Sequence, residues 1–380
     1  MHFRVVFVLC CLHAIQSFRL LLSNRVKAKQ DNILKMSLSK SDTTNLEKCL
    51  RREYTTFFSP FERDFYAQDV KFIDPLTNFE GIDKYQNNVD LLAGRTTLGS
   101  ILFKDASINL HNIEKLDDGK LLTRWSLRFT FRILPHQPTA RFSGVSIYTL
   151  NENGKVKRQE DYWDSVNLKS GRYEQQSFAE GLGDFLQQLK DSKGADMAAP
   201  ELPYELLRRA KQYEIRRYPA TTVAQTKYDQ RPEGYDRLGS YAGGSNENQA
   251  KLEFFSPTIM KIVDVDGVRS KVMTWPLAFA PPGGESPDPS VFPDPTIPRI
   301  IVTKSPSVVV AVRRFEIAAT EPVVKAYTSQ LLKDLESDGL VPSPAAKNGE
   351  EYFVGQYDAL FSLNKRRVEV WVQLDRHPWI

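Results

Sequence analysis

Between residues 120 and 134, apolar and polar side chains alternate without a break. Leu121, Thr123, Trp125, Leu127, Phe129, Phe131 and Ile133 share one parity, and Arg124, Ser126, Arg128, Thr130 and Arg132 the other. Successive side chains of a strand point to opposite faces, so this period of two predicts a half-buried strand of an antiparallel sheet. The arginine parity reads as a solvated face or, alternatively, as a surface for an anionic partner or a membrane interface. Residues 141–150 and 155–166 predict a hairpin around Asn151-Glu-Asn-Gly154. Upstream the period changes. Leu46, Leu50, Tyr54, Phe57 and Phe58 recur at helical spacing, with Asn45 placed as a cap and Ser59-Pro60 as an interruption. Residues 82–93 predict a second helix that Gly94 closes. Helices followed by a long meander predict an α+β unit over 43–170, in which a bent sheet wraps a helix.

From 200 to 380 one order of elements occurs twice. Residues 213–224 read as strand, proline bend and strand, followed by a helix near 232–242 and strands near 253–263 and 270–280. Residues 299–315 repeat the opening, with Ser305-Pro306 at the bend. A helix over 321–337 follows, with Val323, Val324, Tyr327, Leu331, Leu332 and Leu335 on one face and Gly339 closing it. Strands near 351–356 and 367–374 complete the second unit. Two β-β-α-β-β units predict a pseudo-twofold sheet with two helices against it. Between them lies Pro281-Pro-Gly-Gly-Glu-Ser-Pro-Asp-Pro-Ser-Val-Phe-Pro-Asp-Pro295, which lacks the backbone donors of an ordinary strand or helix. It is a long surface loop, a connector or a lid. A short helix at 176–190 and the polar run Lys190-Asp-Ser-Lys-Gly-Ala-Asp196, with Pro200 and Pro203, predict a helix and linker over 171–199.

A chain of 380 residues should hold about two domains, at roughly 150 residues each. Its first 17 residues read as a signal peptide: Arg4 is the positive start and 5–15 an apolar run too short to span a membrane. Residues 18–42 are transit-like, basic, serine-containing and poor in acids. Such a pair, with Phe18 opening the second part, resembles the two-part presequence of algae with complex plastids; plain secretion is the alternative. Cys10 and Cys11 fall in the signal, leaving Cys49 as the single mature thiol, which suits a compartment that does not rely on disulfides. The formal charge of +4 is a targeting contribution. Without residues 1–40, 44 basic side chains face 46 acidic ones, a net −2, so net charge makes no case for nucleic-acid binding. No later stretch approaches the ~20 apolar residues of a membrane helix.

Motifs of common chemistries are missing. The sequence has no phosphate-binding glycine loop, no Cys-x-x-Cys or His-x-x-x-His pair and no Gly-x-Ser-x-Gly nucleophile. No catalytic set and no metal site follow. Asp74, His111 and Asp161 are candidate acid–base groups of the first unit, although Asp74-Pro75 also reads as a turn and His111 as an ordinary strand histidine. After residue 136 the one histidine is His377, three residues from the end.

Lys211-Gln-Tyr-Glu-Ile-Arg-Arg-Tyr-Pro219, Tyr241-Ala-Gly-Gly-Ser-Asn246 and Arg366-Arg367-Val-Glu-Val-Trp371 together resemble the SOUL heme-binding family. The resemblance covers 200–380 and implies a distorted β-barrel with two helices that binds heme or a related tetrapyrrole. It places a cleft along the first helix, with Tyr235, Leu238, Gly239 and Tyr241 as cofactor-binding residues and Arg231 or Arg237 at a propionate. With no cysteine or interior histidine as axial ligand, it implies weak or no iron ligation and tolerance of metal-free porphyrin. Two places depart from the family: Phe255-Ser-Pro-Thr-Ile259 stands for Met-Thr-x-Pro-Val, and Arg366-Arg-Val-Glu369 for Arg-Arg-Asn-Glu. In addition, Pro232 and Gly234 shorten the expected helix.

Phe65-Tyr-Ala-Gln-Asp-Val-Lys-Phe-Ile-Asp-Pro75 and Phe79-Glu-Gly81 resemble the nuclear-transport-factor-2-like, or SnoaL-like, cone fold over 43–170. That fold hosts enzymes and binding modules alike. The fold class expected is α+β throughout, a cone-shaped curved sheet followed by a pseudo-twofold barrel. The function expected is non-catalytic tetrapyrrole binding in the plastid. The rivals are an enzyme acting on a small hydrophobic substrate in the cone, and an assembly protein with a vestigial cleft. Residues 1–40, fused to a fluorescent reporter, are expected to deliver it to the plastid of an alga with a complex plastid; reporter confined to the medium or endomembranes would refute the address.

Overall fold

The structure, a computed structural model, describes residues 40–116, 118–191, 199–357 and 367–379. The signal and transit-like segments, most of the 190–203 join and Arg366 therefore lie outside the described residues. The described chain divides into two compact units. The first holds residues 40–191 with 208–211 and 379, and the second 199–207, 212–357 and 367–378.

The first unit opens with α1 (Lys40–Thr55), which turns Leu46, Cys49, Leu50, Glu53 and Tyr54 inward. Asn45 is exposed inside this helix and does not cap it; the helix begins further upstream, with Asp42 in its first turn where the helix dipole favours an acid. The helix also stops before the aromatic pair. Phe57 and Phe58 have φ of 52° and 58°, so they leave the helix in left-handed conformation. Strands β1 (Tyr66–Ile73) and β2 (Asn78–Glu80) lead into α2 (Ile82–Leu92) and α3 (Thr97–Leu102). The meander is β3 (Phe103–Lys115), β4 (Leu121–Phe131), β5 (Thr139–Leu150) and β6 (Val156–Trp163), followed by the single turn α4 (Asp164–Asn167), the small ribbon β7 (Leu168–Lys169) and β8 (Arg172–Tyr173), and α5 (Phe178–Asp191). The sheet order is β2-β1-β6-β5-β4-β3, with β1 parallel to β6 and the other pairings antiparallel. The apolar parity of β4 faces inward: Leu121, Trp125, Phe129 and Phe131 join Leu46, Leu50 and Tyr54 of α1, Ile82 and Tyr85 of α2, and Phe142 and Trp163 in one core. Phe185 and Leu189 of α5 pack on the same core. A curved sheet around helices is the result.

The second unit contains the first part of β9 (Glu205–Arg209), with β10 (Glu214–Tyr218), β11 (Thr221–Lys227), α6 (Arg231–Ala242), β12 (Thr258–Val265), β13 (Val268–Phe279), β14 (Ile300–Ser305), β15 (Val308–Phe315), α7 (Glu321–Ser337), β16 (Val341–Pro342), α8 (Pro344–Lys347), β17 (Glu351–Gln356) and β18 (Val368–Arg376). The long path of its antiparallel sheet is β14-β11-β13-β12-β17-β18-β15-β10-β9, with β16 beside β18. Exchange each of β10, β11, β12 and β13 for its counterpart β14, β15, β17 and β18, and the path from β14 to β10 reads the same backwards. This is the pseudo-twofold predicted from element order. Each repeat gives its first strand to the outer edge of the other half, so neither half closes without its partner. The path ends at β14 and β9 without joining them, so the sheet is a strongly curled half-barrel and not a closed barrel.

A buried charge cluster ties the strands of this sheet. Arg216 on β10 and Glu369 on β18 both flank β15, and both are almost sealed from solvent. The guanidinium donates twice to the carboxylate, at 3.0 and 3.2 Å. The Tyr357 hydroxyl and the Trp371 indole each donate to Glu369 Oε2 at 2.9 Å. Arg367 adds a bond at 3.2 Å and pairs with Glu201 at 2.6 Å. Burial pushes Glu369 up, but Arg216, Arg367 and the two neutral donors outweigh it and hold the carboxyl at about 2. Removing one partner of such a pair strands the other charge, so Glu369→Gln is expected to cost about 3–5 kcal/mol. Because the native pKa lies below the unfolded one, this stability is complete above the unfolded value and disappears as pH falls towards 2. Urea unfolding of wild type, Glu369→Gln and the apolar double variant Arg216→Met/Glu369→Leu checks both points. A double variant at least as costly as Glu369→Gln would refute the coupling.

Candidate functional site

Helix α6 and the strands beneath it carry the residues that the family resemblance singles out. Its start is built locally: Pro232 occupies the first turn, where a missing N–H costs nothing, and Glu233 accepts from the Asp229 N–H at 3.0 Å. Its end is built by the Gly-Gly-x-Asn motif. Gly244 takes φ 119°, and the buried Asn246 side chain donates to the carbonyls of Tyr241 at 3.1 Å and Ala250 at 2.7 Å while accepting from the Ala250 N–H at 3.0 Å. The motif is therefore the fastening of the helix end. Within the helix, a Cβ on Gly234 would come within 2.9 Å of the Met273 methyl, so the glycine lets α6 lie close on β13.

The six expected cofactor-binding residues do not share one environment. Leu238 is 0 % and Tyr241 1 % exposed; they dock α6 on the sheet and do not line an open cleft. The Tyr241 hydroxyl donates to the Pro293 carbonyl at 2.8 Å, which also pins the proline-rich loop. That loop is further held by the Glu247 N–H on Asp294 O at 3.0 Å, so in this structure it is a fastened connector. Arg231 donates to Ala319 O at 2.6 Å. Arg237 donates to Lys227 O at 2.8 Å and to Glu233. Both guanidiniums are thus engaged within the protein. Gly239 faces the Trp275 ring, 3.8 Å from where a Cβ would stand.

Tyr235 differs. It is half-buried, yet its hydroxyl is sealed and has no hydrogen-bond partner among the described residues. The same is true of the indole Nε1 of Trp275, on the strand below. The two rings meet edge-on with centroids 6.4 Å apart, and Phe254 stacks on Trp275 at 4.1 Å. Burial pushes the Tyr235 phenol up; the neighbouring Thr258 hydroxyl and Arg231 pull it partly back. Trp275 and Phe254 were not singled out in the sequence. The available signal was an indole in a predicted strand that the α6 motif had to cover.

The first unit has a polar interior of its own. The Tyr54 hydroxyl lies 3.0 Å from Thr123 Oγ1 and 3.1 Å from the Tyr148 hydroxyl. Asp161 shares this inward face, because Ser146, its partner across β5 and β6, is also opposite Thr123. Gln159 Nε2 donates to Asp161 at 2.8 Å. Burial pushes Asp161 up to about 7, against the pull of Ser146 and Gln159, and the nearby Asp74 pushes it further. Asp74 is itself raised to about 6 by burial, although it accepts from the Leu76 N–H at 2.7 Å as a turn residue. His111 does not join them: its Nε2 lies 3.0 Å from Ser126 Oγ, on the opposite parity of β4. Deeper in the core, the sealed Glu53 accepts from the Tyr66 hydroxyl at 2.6 Å and is raised by burial to about 7. Burial and the neighbouring Glu53 and Glu62 push the Cys49 thiol well up, which leaves it inert.

Among the described residues no helix is long and apolar enough to cross a membrane, and no group of His, Cys, Asp and Glu is arranged to hold a metal ion.

Curled sheet, paired helices and fastened Gly-Gly turn together define an antiparallel half-barrel with two helices. Residues 199–373 form a SOUL heme-binding domain, matching the family described as SOUL heme-binding protein. Residues 44–159 match a family described as uncharacterized conserved protein (DUF2358). No curated protein matches the chain. Solved structures match part of it. One, an NTF2-like protein of unknown function from Exiguobacterium sp. 255-15, is 17 % identical and covers 30 % of this chain and 97 % of its own, with a TM-score of 0.25. A putative polyketide cyclase from Silicibacter sp. TM1040 is 13 % identical over 33 % of this chain and 92 % of its own, with a TM-score of 0.26. An LEH-like epoxide hydrolase of M. tuberculosis is 10 % identical over 40 % and 92 %, with a TM-score of 0.27.

Asp161 makes the first unit sensitive to pH. Its native pKa is raised, so the stability it gives is complete below the ordinary value of 3.8 and is lost as pH rises to about 7. Asp161→Asn is expected to melt with wild type near pH 4 and above it at pH 8. A variant that melts below wild type at pH 8 would refute a penalised carboxyl.

Proposed function

We propose that the C-terminal domain binds heme or a related tetrapyrrole without catalysing a reaction on it, for transport, buffering or scavenging. The match of residues 199–373 to the SOUL heme-binding family carries this reading. The seam between α6 and β13 fits such a ligand in chemical kind: Tyr235, Trp275 and Phe254 offer aromatic faces, and two of them hold unpaired donors. Burial of a macrocycle against such side chains supplies affinity at roughly 25 cal/mol per Å2 of apolar area. When bound, the tetrapyrrole supplies whatever redox or optical chemistry the complex has; this chain supplies apolar contact and polar anchoring. Met260 and Met273 sit sealed opposite one another on β12 and β13, and the only histidine of the domain is His377 at its end. Binding without a strong axial ligand follows, with metal-free porphyrin accepted as well as heme. A plastid setting is part of the proposal and rests on the presequence pattern of residues 1–42.

Titration of the full chain with heme and with metal-free protoporphyrin is expected to give saturable Soret shifts for both, unchanged in His377→Ala. Loss of the heme spectrum in that variant, or binding of heme alone, would replace the cleft by an axially ligated site.

A second reading is favoured by one observation. Asp161, with a pKa near 7 on the inward face of the first sheet, is suited to accept and return a proton at neutral pH. On this reading the cone turns over a small hydrophobic substrate. Small apolar carbonyl compounds should then be turned over by wild type but not by Asp161→Asn. No turnover by wild type, or equal turnover by Asp161→Asn, would sink it.

A further inference from the structure

Among the described residues, two donors beneath α6 have no hydrogen-bond partner of ordinary geometry. A buried, unpaired donor costs about 1–3 kcal/mol, and native interiors hold few of them. Here two lie in one aromatic cluster: the Tyr235 hydroxyl and the Trp275 indole N–H, the latter on a side chain only 8 % exposed. Both are donors in their neutral form, and the indole can only donate. A group that accepts from both must be an acceptor with more than one lone pair. No carboxylate of the protein answers them. Glu233 is taken by the Asp229 N–H and Arg237, and Asp264 by Arg269.

We propose that Tyr235 Oη and Trp275 Nε1 form a neutral two-donor recess for a carboxylate of the bound ligand, a propionate in the tetrapyrrole case. The inference rests on the tetrapyrrole reading and names how that site tells an acid from its ester. The carboxylate keeps its charge while Arg231 and Arg237 remain in their own bonds at either side of the helix. Entry requires the side chains over the recess to shift. Phe254, half-buried and stacked on Trp275 in an irregular stretch before β12, is the one that yields.

Full-chain protein, as wild type, Tyr235→Phe and Trp275→Phe, is titrated with metal-free protoporphyrin and with its dimethyl ester, following Soret absorption and tryptophan quenching. The melting temperature of each ligand-free protein is measured alongside. Wild type should prefer the free acid. Tyr235→Phe should weaken the free acid by about tenfold, the worth of one hydrogen bond to a charged group, and leave the ester unchanged. Ligand-free Tyr235→Phe should melt no lower than wild type, because the hydroxyl it loses has no partner. Trp275→Phe should show the same selective loss. A Tyr235→Phe protein that binds acid and ester as wild type does, or loses both equally, would overturn the recess while leaving tetrapyrrole binding intact. A wild type that binds neither compound overturns the tetrapyrrole reading itself.

Discussion

Glu369 sets the terms for the second domain. A carboxylate removed from water is tolerated only when its charge and lone pairs are met, and here six donated bonds from Arg216, Arg367, Tyr357 and Trp371 converge on it. The donors come from β10, β18 and the segments beside β17 and β18, so those elements are held in one register. Arg216 is in turn covered by the Tyr204 ring at 4.4 Å and bonded to Glu214 at 2.7 Å. The cluster spans the place where the first strand of one repeat crosses to the half built by the other. That exchange of strands leaves each half incomplete alone, and the ion cluster specifies the exchanged arrangement more sharply than apolar packing does, since a slip by one residue would bury Arg217 in place of Arg216.

This explains why the family was legible in the sequence while the environments of the individual α6 residues were not. Arg216, Glu369 and Trp371 are charges and an indole on alternating strands, an unusual pattern that the eye finds easily. Tyr241-Ala-Gly-Gly-Ser-Asn246 is equally conspicuous. Both patterns exist to satisfy buried polar groups in the fold, the ion cluster in one case and the end of α6 in the other. Leu238 and Tyr241 drew attention because they stand next to such a pattern, and they prove to be sealed anchors. The pair with unmet bonding capacity, Tyr235 and Trp275, is distinguished only by what fails to surround it, which spacing along a chain does not record.

The first domain shows the same division. Alternation over 120–134 identified an inward and an outward face of β4, and the core follows it from Leu121 to Phe131. Boundaries were less legible. Asn45 suits a helix cap by residue type, but α1 extends past it because Asp42 and the residues before it continue the turn. Residue chemistry offered Asp74, His111 and Asp161 as acid–base groups, the first two with plainer readings as a turn and an ordinary strand residue. Parity separates them: Asp161 shares a face with Ser146 and Thr123, whereas His111 meets Ser126 on the other side. A bulge between Leu110 and Asn112 shifts the register of β3 on β4 beyond His111, and bulges are poorly signalled by sequence.

The pseudo-twofold gives the sheet two equivalent seats for a helix, and the two seats are filled differently. Helix α7 runs 17 residues without a glycine and seals Val324, Leu331 and Leu335 against its strands. Helix α6 runs 12 residues with two glycines inside it and rests on methionine, tryptophan and backbone. One unpaired hydroxyl, that of Thr328, belongs to the α7 seat, whereas a phenol and an indole in one aromatic cluster belong to the α6 seat. Symmetry offers no reason for the difference, and neither does stability, since a leucine-lined α6 would pack as α7 does. The α6 seat is sealed by Leu238 and Tyr241, yet it leaves a phenol and an indole unmet, a polar cost of a kind its twin does not carry. On the proposed reading, it is there that a planar ligand with an acidic edge would enter.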